Sequence, residues 1–156
     1  MFTSSKERFG LGRIYQWATD EALRSGDRRV GTEHLLIALL TDPDSVTARA
    51  LAIDPDRART ARWELDQRAL ERVGISGPYP GPVLPVRQRE KLALTPAAKA
   101  VFKGLRGETK KLGDRLGVKH VLLLLLALPA PDPAAELLDH LGVDRQQVRD
   151  RLWETR

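Results

Sequence analysis

The sequence contains no cysteine, which excludes disulfide frameworks, thiolate metal sites and a cysteine nucleophile. Aromatic residues are scarce, at 5% of the chain, while leucine, alanine and charged residues are abundant, and this balance favours helices over sheets. The three histidines, His34, His120 and His140, lack the spacing of zinc ligands. We therefore expect a helical protein that needs no metal and no cofactor.

Long apolar segments are also missing. The longest, Val121–Leu128, falls well short of the roughly twenty residues that a membrane-spanning helix needs. The first residues, Met1–Lys6, have no apolar core of the kind found in secretory signals. These absences argue against a membrane role and make the cytoplasm the default expectation.

Positive charge is in excess, but it is not segregated. The 156 residues carry a net charge of +5, and the densest basic stretch is Arg57–Arg72. Glu64, Asp66 and Glu71 interrupt that stretch. A solvated helix face is the favoured explanation, and a phosphate-binding stripe that would make the protein a nucleic-acid-binding regulator is the alternative.

Proline and glycine concentrate in one segment, Ile75–Pro85. No regular element tolerates this density of proline, so the segment is predicted to be an extended linker. It divides the chain into a first unit (1–74), a linker (75–93) and a second unit (94–156), which we expect to form one globular domain together.

Both units show helical periodicity with explicit start and stop signals, and no convincing strand is predicted. The predicted starts are Asp54-Pro55, Thr95-Pro96, Asp132-Pro133 and Asp144 with Gln147. The predicted stops are Gly26, Gly74, Gly113 and Gly142. The second helices of the two units, Thr32–Leu40 and Val118–Leu128, are strongly apolar.

The two units align with each other. Gly31-Thr32-Glu33-His34 matches Gly117-Val118-Lys119-His120, and Ile53-Asp54 matches Val143-Asp144. The spacing between these anchors is about one helical turn shorter in the first unit, so its third helix should be short. The sequence therefore predicts an all-α fold of two pseudo-symmetric four-helix repeats with the leucine-rich second helices at the centre.

Motifs that carry catalysis are absent. The sequence has no phosphate-binding loop, serine-nucleophile elbow, metalloprotease helix or dinucleotide fingerprint. We therefore predict no catalytic residue and no enzymatic activity, and a hydrolase is the least favoured function.

Glu33 stands at the predicted start of a helix, where free N–H groups and a partial positive charge occur. Local physics favours a structural role, in which the carboxylate complements the helix dipole. The functional alternative is that it binds a cationic group that carries an anionic neighbour. His34 is expected to be a buried, hydrogen-bonded core residue, since His120 repeats it.

The motifs V-G-T-E-H-L-L at Val30–Leu36 and L-T-P-x-A-K at Leu94–Lys99, with the duplicated layout, resemble the Clp N-terminal repeat domain. This is the domain with which ClpC- and ClpA-type AAA+ unfoldases dock substrates and adaptors. The resemblance runs from about Phe2 to Leu152. It implies two pseudo-symmetric four-helix repeats and a protein-binding role in proteolysis.

The resemblance also implies ligands. Members of the family bind adaptors and tagged clients, and in the ClpC branch the Glu of each G-T-E-H element receives the guanidinium of phosphoarginine. Thr32 and Glu33 match that element. In the second copy Val118 and Lys119 replace them, and the reversed charge indicates a lost or altered pocket.

A groove that binds cyclic-peptide antibiotics in ClpC-type domains is implied as well, and Phe2, Leu94 and Lys99 match positions that line it. No ATPase module follows in the sequence. The chain is therefore expected to act either as a free-standing regulator or decoy, or as the docking part of a larger protein. A purely structural assembly domain with a vestigial groove is a further alternative.

Overall fold

Helices make up nearly all the regular structure. The computed structural model describes residues 3–75, 92–112 and 117–154, with side chains for 11–75, 92–105 and 117–154. The helices of these residues are α1 (Thr3–Arg24), α2 (Thr32–Ala38), α3 (Val46–Leu51), α4 (Pro55–Arg72), α5 (Pro96–Leu112), α6 (Val118–Leu126), α7 (Pro133–His140) and α8 (Arg145–Glu154). The all-α prediction is confirmed. Within these ranges, none of the helices has the length and apolar character to cross a membrane.

The starts of α4, α5, α7 and α8 are those predicted from the capping residues. Asp54 Oδ1 accepts the N–H of Asp56 at 2.7 Å, directly before Pro55 opens α4. Equivalent caps are formed by Thr95, Asp132 and Asp144. Each cap satisfies a backbone donor that the helix itself leaves free, which is worth about 1 kcal/mol.

Glycine follows the helices whose ends require a left-handed backbone conformation. Gly26, Gly74 and Gly142 have φ values of +74°, +84° and +70° just beyond α1, α4 and α7. The predicted stop at Gly113 lies outside the described residues. In the first repeat α3 is two residues shorter than its counterpart α7, in agreement with the short third helix that the spacing predicts.

The leucine-rich second helices lie at the centre. Leu35 and Leu36 of α2, and Leu122 and Leu125 of α6, are all at most 1% exposed. α1 packs on α2, and α5 packs on α6. Across the repeats, α2 contacts α7 while α6 contacts α3, so each central helix reaches the third helix of the other repeat. This reciprocal packing is the pseudo-symmetry that the aligned repeats predict. The chain boundaries proposed above (1–74, 75–93, 94–156) remain a prediction.

The expectation that the chain has no strand is wrong in one detail. β1 (Arg29–Val30) and β2 (Ala93–Leu94) form a two-residue parallel ladder, and the Thr95 N–H donates to the Val30 carbonyl at 2.9 Å. Two residues are too few to show alternation in a sequence, so this pairing has no local signal. The ladder joins the chain just before α2 to the chain just before α5.

Thr32 links the two repeats. Its hydroxyl donates to Asp132 Oδ1 at 2.7 Å and lies 3.3 Å from the Ala134 N–H, which it can accept. Thr32 is buried, and its hydroxyl ties the start of α2 directly to the capped start of α7. Glu33 is the next residue of the same helix turn.

We expect Thr32→Val to lower the free energy of unfolding by about 1–2 kcal/mol, because it removes the hydroxyl from a buried hydrogen bond. Thr60→Val, at an exposed position of α4, is the matched control and should change stability by less than about 0.5 kcal/mol. Urea denaturation of both variants measures the difference. Equal stability of the two would show that the inter-repeat bond contributes little.

Candidate functional site

Glu33 occupies the first turn of α2, and its carboxylate folds back over Gly31. A Cβ atom added to Gly31 would lie 2.4 Å from Glu33 Oε2, so the carboxylate fills the space that any other residue would need there. The side chain of Glu33 is 15% exposed. The glycine is therefore part of the site, since it lets the acidic group approach the backbone.

His34 holds the backbone beside Glu33. Its Nδ1 accepts the N–H of Gly31 at 2.9 Å, and its Nε2 lies 2.9 Å from Asp27 Oδ2. Because a backbone N–H can only donate, Nδ1 carries no proton and Nε2–H donates to Asp27. The ring is 1% exposed, and the prediction of a buried, hydrogen-bonded His34 is confirmed.

Among the described residues, this arrangement gives the buried Oε2 of Glu33 no hydrogen-bond donor. Oε1 lies 3.5 Å from His34 Nδ1, but both atoms are acceptors when Nδ1 carries no proton. Oε2 is buried, and in the described part of the chain no donor bonds to it. An unmatched buried acceptor costs about 1–3 kcal/mol. The site is thus suited to a group that donates hydrogen bonds and carries positive charge.

Asp27 anchors the far side of the imidazole. Its Oδ2 also accepts a hydrogen bond from Arg62 Nη2 at 2.5 Å, and the same nitrogen lies 3.8 Å from Asp66 Oδ2. Burial raises the pKa of Asp27, but the hydrogen bond from His34 and the charge of Arg62 outweigh it and hold that pKa below its usual range. Burial raises the pKa of Asp66 above its usual range. The network fixes His34 and, through Gly31, the start of α2.

Asp27, Glu33 and His34 have ligand atoms within 4.8 Å of one another, which is close enough to consider a metal ion. Both ring nitrogens of His34 already have hydrogen-bond partners, and the guanidinium of Arg62 sits on the Asp27 carboxylate. A divalent cation would have to displace this charge. The donor set therefore does not favour a metal centre.

The other residues assigned to binding from the sequence are placed differently. Leu94 lies on β2 opposite Val30, half-buried and one ladder step from Gly31, so it belongs to the surroundings of Glu33. Lys99 is exposed in the first turn of α5. Thr32 is buried and uses its hydroxyl to join the repeats, so that hydroxyl is not available to a ligand. Phe2 lies outside the described residues.

The start of the second repeat carries different chemistry. Lys119 Nζ lies 4.8 Å from the centroid of the Trp153 ring, which places the ammonium group over an aromatic face of α8. His120 is buried like His34, but in the described part of the chain its Nδ1 has no hydrogen-bond partner. The two helix starts therefore share a layout and differ in charge and bonding.

The basic stretch of α4 does not form one exposed stripe. Arg59 donates to both oxygens of the buried Glu21 carboxylate at 2.5–3.1 Å and to Asp56 at 2.7 Å. Arg62 is engaged by Asp27. These guanidinium groups are paired with carboxylates of the fold, one of them the buried Glu21, which removes them from the phosphate-binding face that the nucleic-acid hypothesis requires.

Sequence reasoning missed Asp27 as part of the site. It follows Gly26 in the turn after α1, and its pairing with His34 arises because that turn leads into β1 and α2. A glycine stop followed by an aspartate is the only local signal, and it fits an ordinary turn equally well.

Comparison with known proteins gives a family match. The model of the Clp repeat N-terminal domain matches residues 11–127. Among solved structures, the N-terminal domain of the Clp-protease-associated chaperone ClpD from Arabidopsis thaliana superposes with a TM-score of 0.68 at 19% identity, covering 91% of this chain and 88% of that one. That similarity supports the fold.

Curated relatives are much longer than this chain. The negative regulator of genetic competence ClpC/MecB of Bacillus subtilis is 29% identical over 143 residues, which is 91% of this chain and 16% of that protein. The chaperone protein ClpB of Oceanobacillus iheyensis is 27% identical, again over 91% of this chain and 16% of its own length. The chain thus spans about one-sixth of the length of these relatives.

The depressed pKa of Asp27 predicts a pH-dependent contribution to stability. A carboxyl group with a lowered folded-state pKa stabilises the protein above its unfolded pKa, and this contribution is lost as the pH falls through the lower folded value. Asp27→Asn should therefore be less stable than the native protein at neutral pH, and the difference should shrink in acid below the usual aspartate range.

Urea denaturation at neutral and acidic pH measures this difference. Asp44→Asn, at an exposed loop position, provides the matched control and should show no such dependence. A difference between native and Asp27→Asn that stays constant with pH would contradict the assignment.

Proposed function

The chain belongs to the Clp repeat N-terminal domain family, and on that premise we propose that it is a non-catalytic module that docks peptides and proteins of a Clp unfoldase and protease system. One observation carries the proposal, namely that the carboxylate of Glu33 lies at a helix start with a buried oxygen and no donor among the described residues. A ligand that brings a hydrogen-bond donor to this carboxylate would satisfy its buried oxygen.

The ligand class follows from the charge and shape of the site. A guanidinium group presents a planar set of N–H donors that matches a carboxylate and would satisfy Glu33. First-turn N–H groups of α2 lie next to it and favour an anionic neighbour. Phosphoarginine combines both charges in one side chain, so we propose it as a mark that Glu33 receives on tagged clients.

Of the two described G-x-x-H helix starts, only the first carries the proposed site. In the second repeat Lys119 replaces the carboxylate, and its ammonium group lies over Trp153. A cation at this position repels a guanidinium group instead of accepting its hydrogen bonds. We therefore expect one phosphoarginine per chain.

Adaptors and cyclic peptides are proposed to use the neighbouring surface. Leu94 and the exposed Lys99 lie on either side of the Thr95 cap, and β2 places Leu94 beside the start of α2. If the module binds the same adaptors or clients as an unfoldase, it would compete with the docking domain of that unfoldase. Alternatively, it would itself be the docking domain of a larger protein.

Phosphoarginine should bind with a stoichiometry near one, and Glu33→Gln should weaken binding by at least about tenfold because the carboxamide loses the charge that pairs with the guanidinium. Isothermal titration calorimetry measures both quantities. Glu71→Gln, an exposed change on α4, is the control and should leave the affinity unchanged. Absence of heat with the native protein, or equal affinity in Glu33→Gln, would refute the proposed ligand.

Gly31→Ala tests the geometry without changing charge. The new methyl group would displace the Glu33 carboxylate, because it would lie 2.4 Å from Oε2 in its present position. Weaker phosphoarginine binding with little loss of stability is expected, since φ at Gly31 is −98° and alanine tolerates it. Gly12→Ala, where an added Cβ meets open space, should bind like the native protein. Unaltered binding by Gly31→Ala would show that the position of the carboxylate is not critical.

A further inference from the structure

A groove lies between α4 and α7, on elements that belong to different repeats. Its volume is about 710 Å³. Arg68 and Arg72 line the α4 side, and Glu136 lies on the α7 side. None of these residues belongs to the cluster around Glu33.

The two arginines have no ion-pair partner among the described residues. Within the described residues, no carboxylate forms an ion pair with Arg68 or Arg72, and both side chains are exposed. They differ in this respect from Arg59 and Arg62 of the same helix, whose guanidinium groups are bound by Glu21 and Asp27. Within the described residues, positive charge without an acidic partner is therefore concentrated on this wall of the groove.

The acidic residues around the groove are partly neutralised. Asp139 is paired with Arg145 at 2.8 Å, and Glu64 contacts His140 at 2.6 Å across the α4–α7 interface. Glu136 remains as the acidic group of the opposite wall. The groove thus has one cationic wall and one weakly anionic wall.

Apolar surface lies between and beyond the charges. Leu65, Ala69 and Ala130 also line the groove. Just past Arg72, Val73 is 72% exposed and Ile75 is 40% exposed, so further apolar side chains are exposed beyond the end of α4. A ligand that fits this surface must combine anionic groups with apolar side chains.

We propose that the α4–α7 groove docks an acidic, partly apolar peptide segment of a protein partner, held by Arg68 and Arg72. Side chains four residues apart on a helix lie roughly 5–6 Å apart at Cβ, and alternate residues of an extended peptide are roughly 7 Å apart, so two carboxylates spaced by one residue can meet both guanidinium groups. Each such contact can be bidentate. Glu136 can accept N–H groups of the peptide backbone on the other side.

The charges favour a peptide over a nucleic acid. A phosphodiester backbone carries a regular series of negative charges. Glu136 lines the groove and Glu64 contacts the lining residue His140, so both repel such a backbone. A short acidic segment places its few carboxylates at the arginines alone. The site is independent of the one at Glu33, so each can fail without the other.

Fluorescence anisotropy with a labelled Glu-Leu-Glu-Leu-Glu peptide tests the proposal on the full chain. The acidic peptide should bind at low salt, weaken as salt is added, and bind at least about tenfold more tightly than Lys-Leu-Lys-Leu-Lys. Arg68→Glu with Arg72→Glu should abolish binding, and the milder pair Arg68→Gln with Arg72→Gln should weaken it. Arg57→Glu, an exposed change near the other end of α4, should have no effect.

The Glu33→Gln variant and a short DNA duplex complete the comparison. Glu33→Gln should leave peptide binding intact, which separates this groove from the function proposed above. No binding of the acidic peptide, equal binding of the basic peptide, or unchanged binding by both arginine pairs would overturn the proposal. So would tighter binding of a short DNA duplex that depends on Arg68 and Arg72, which would identify the surface as a nucleic-acid site instead.

Discussion

The N–H of Gly31 donates to His34 Nδ1 at 2.9 Å, and this bond decides which nitrogen of the ring carries the proton. Nε2–H is directed to Asp27, where Arg62 also binds, so the far side of the ring is fully satisfied. On the near side the Nδ1 lone pair is used by the Gly31 N–H, so the ring offers no proton to Glu33 Oε1 at 3.5 Å, and the glycine leaves room for the carboxylate to fold back over the backbone. The structural histidine thus donates no hydrogen bond to the neighbouring Glu33 carboxylate, whose buried Oε2 has no donor among the described residues.

The two repeats keep one fold while their helix starts diverge. Thr32 reaches across to the cap of α7, whereas its counterpart Val118 has no hydroxyl with which to do the same. Lys119, the counterpart of Glu33, lies over Trp153. These substitutions are compatible with the same architecture because the fold depends on the leucines of α2 and α6, which are buried in both repeats. The residues in the first turns of α2 and α6 can therefore differ between the repeats without changing the fold.

Local signals were sufficient to predict most of the fold, because caps and glycine stops act within a few residues of the helix ends. The burial of His34 could also be predicted, from its repetition at His120. The pairing of β1 with β2 and the contact of Asp27 with His34 could not, since both join segments whose proximity arises from the packing of helices. Thr32 illustrates the limit: its motif predicts a ligand contact, and the structure uses its hydroxyl between the repeats.

Charge on α4 shows why composition alone does not identify a binding surface. Arg59 and Arg62 face carboxylates of α1 and of the turn that follows it, where a buried Glu21 without a cation would be costly. Arg68 and Arg72, further along the same helix, lie beyond the reach of those acids and line the boundary with α7. The same residue type thus stabilises the fold at one end of the helix and remains available at the other. The positive charge that can attract a partner is therefore that of the arginines without an acidic partner among the described residues, and not the net charge of the helix.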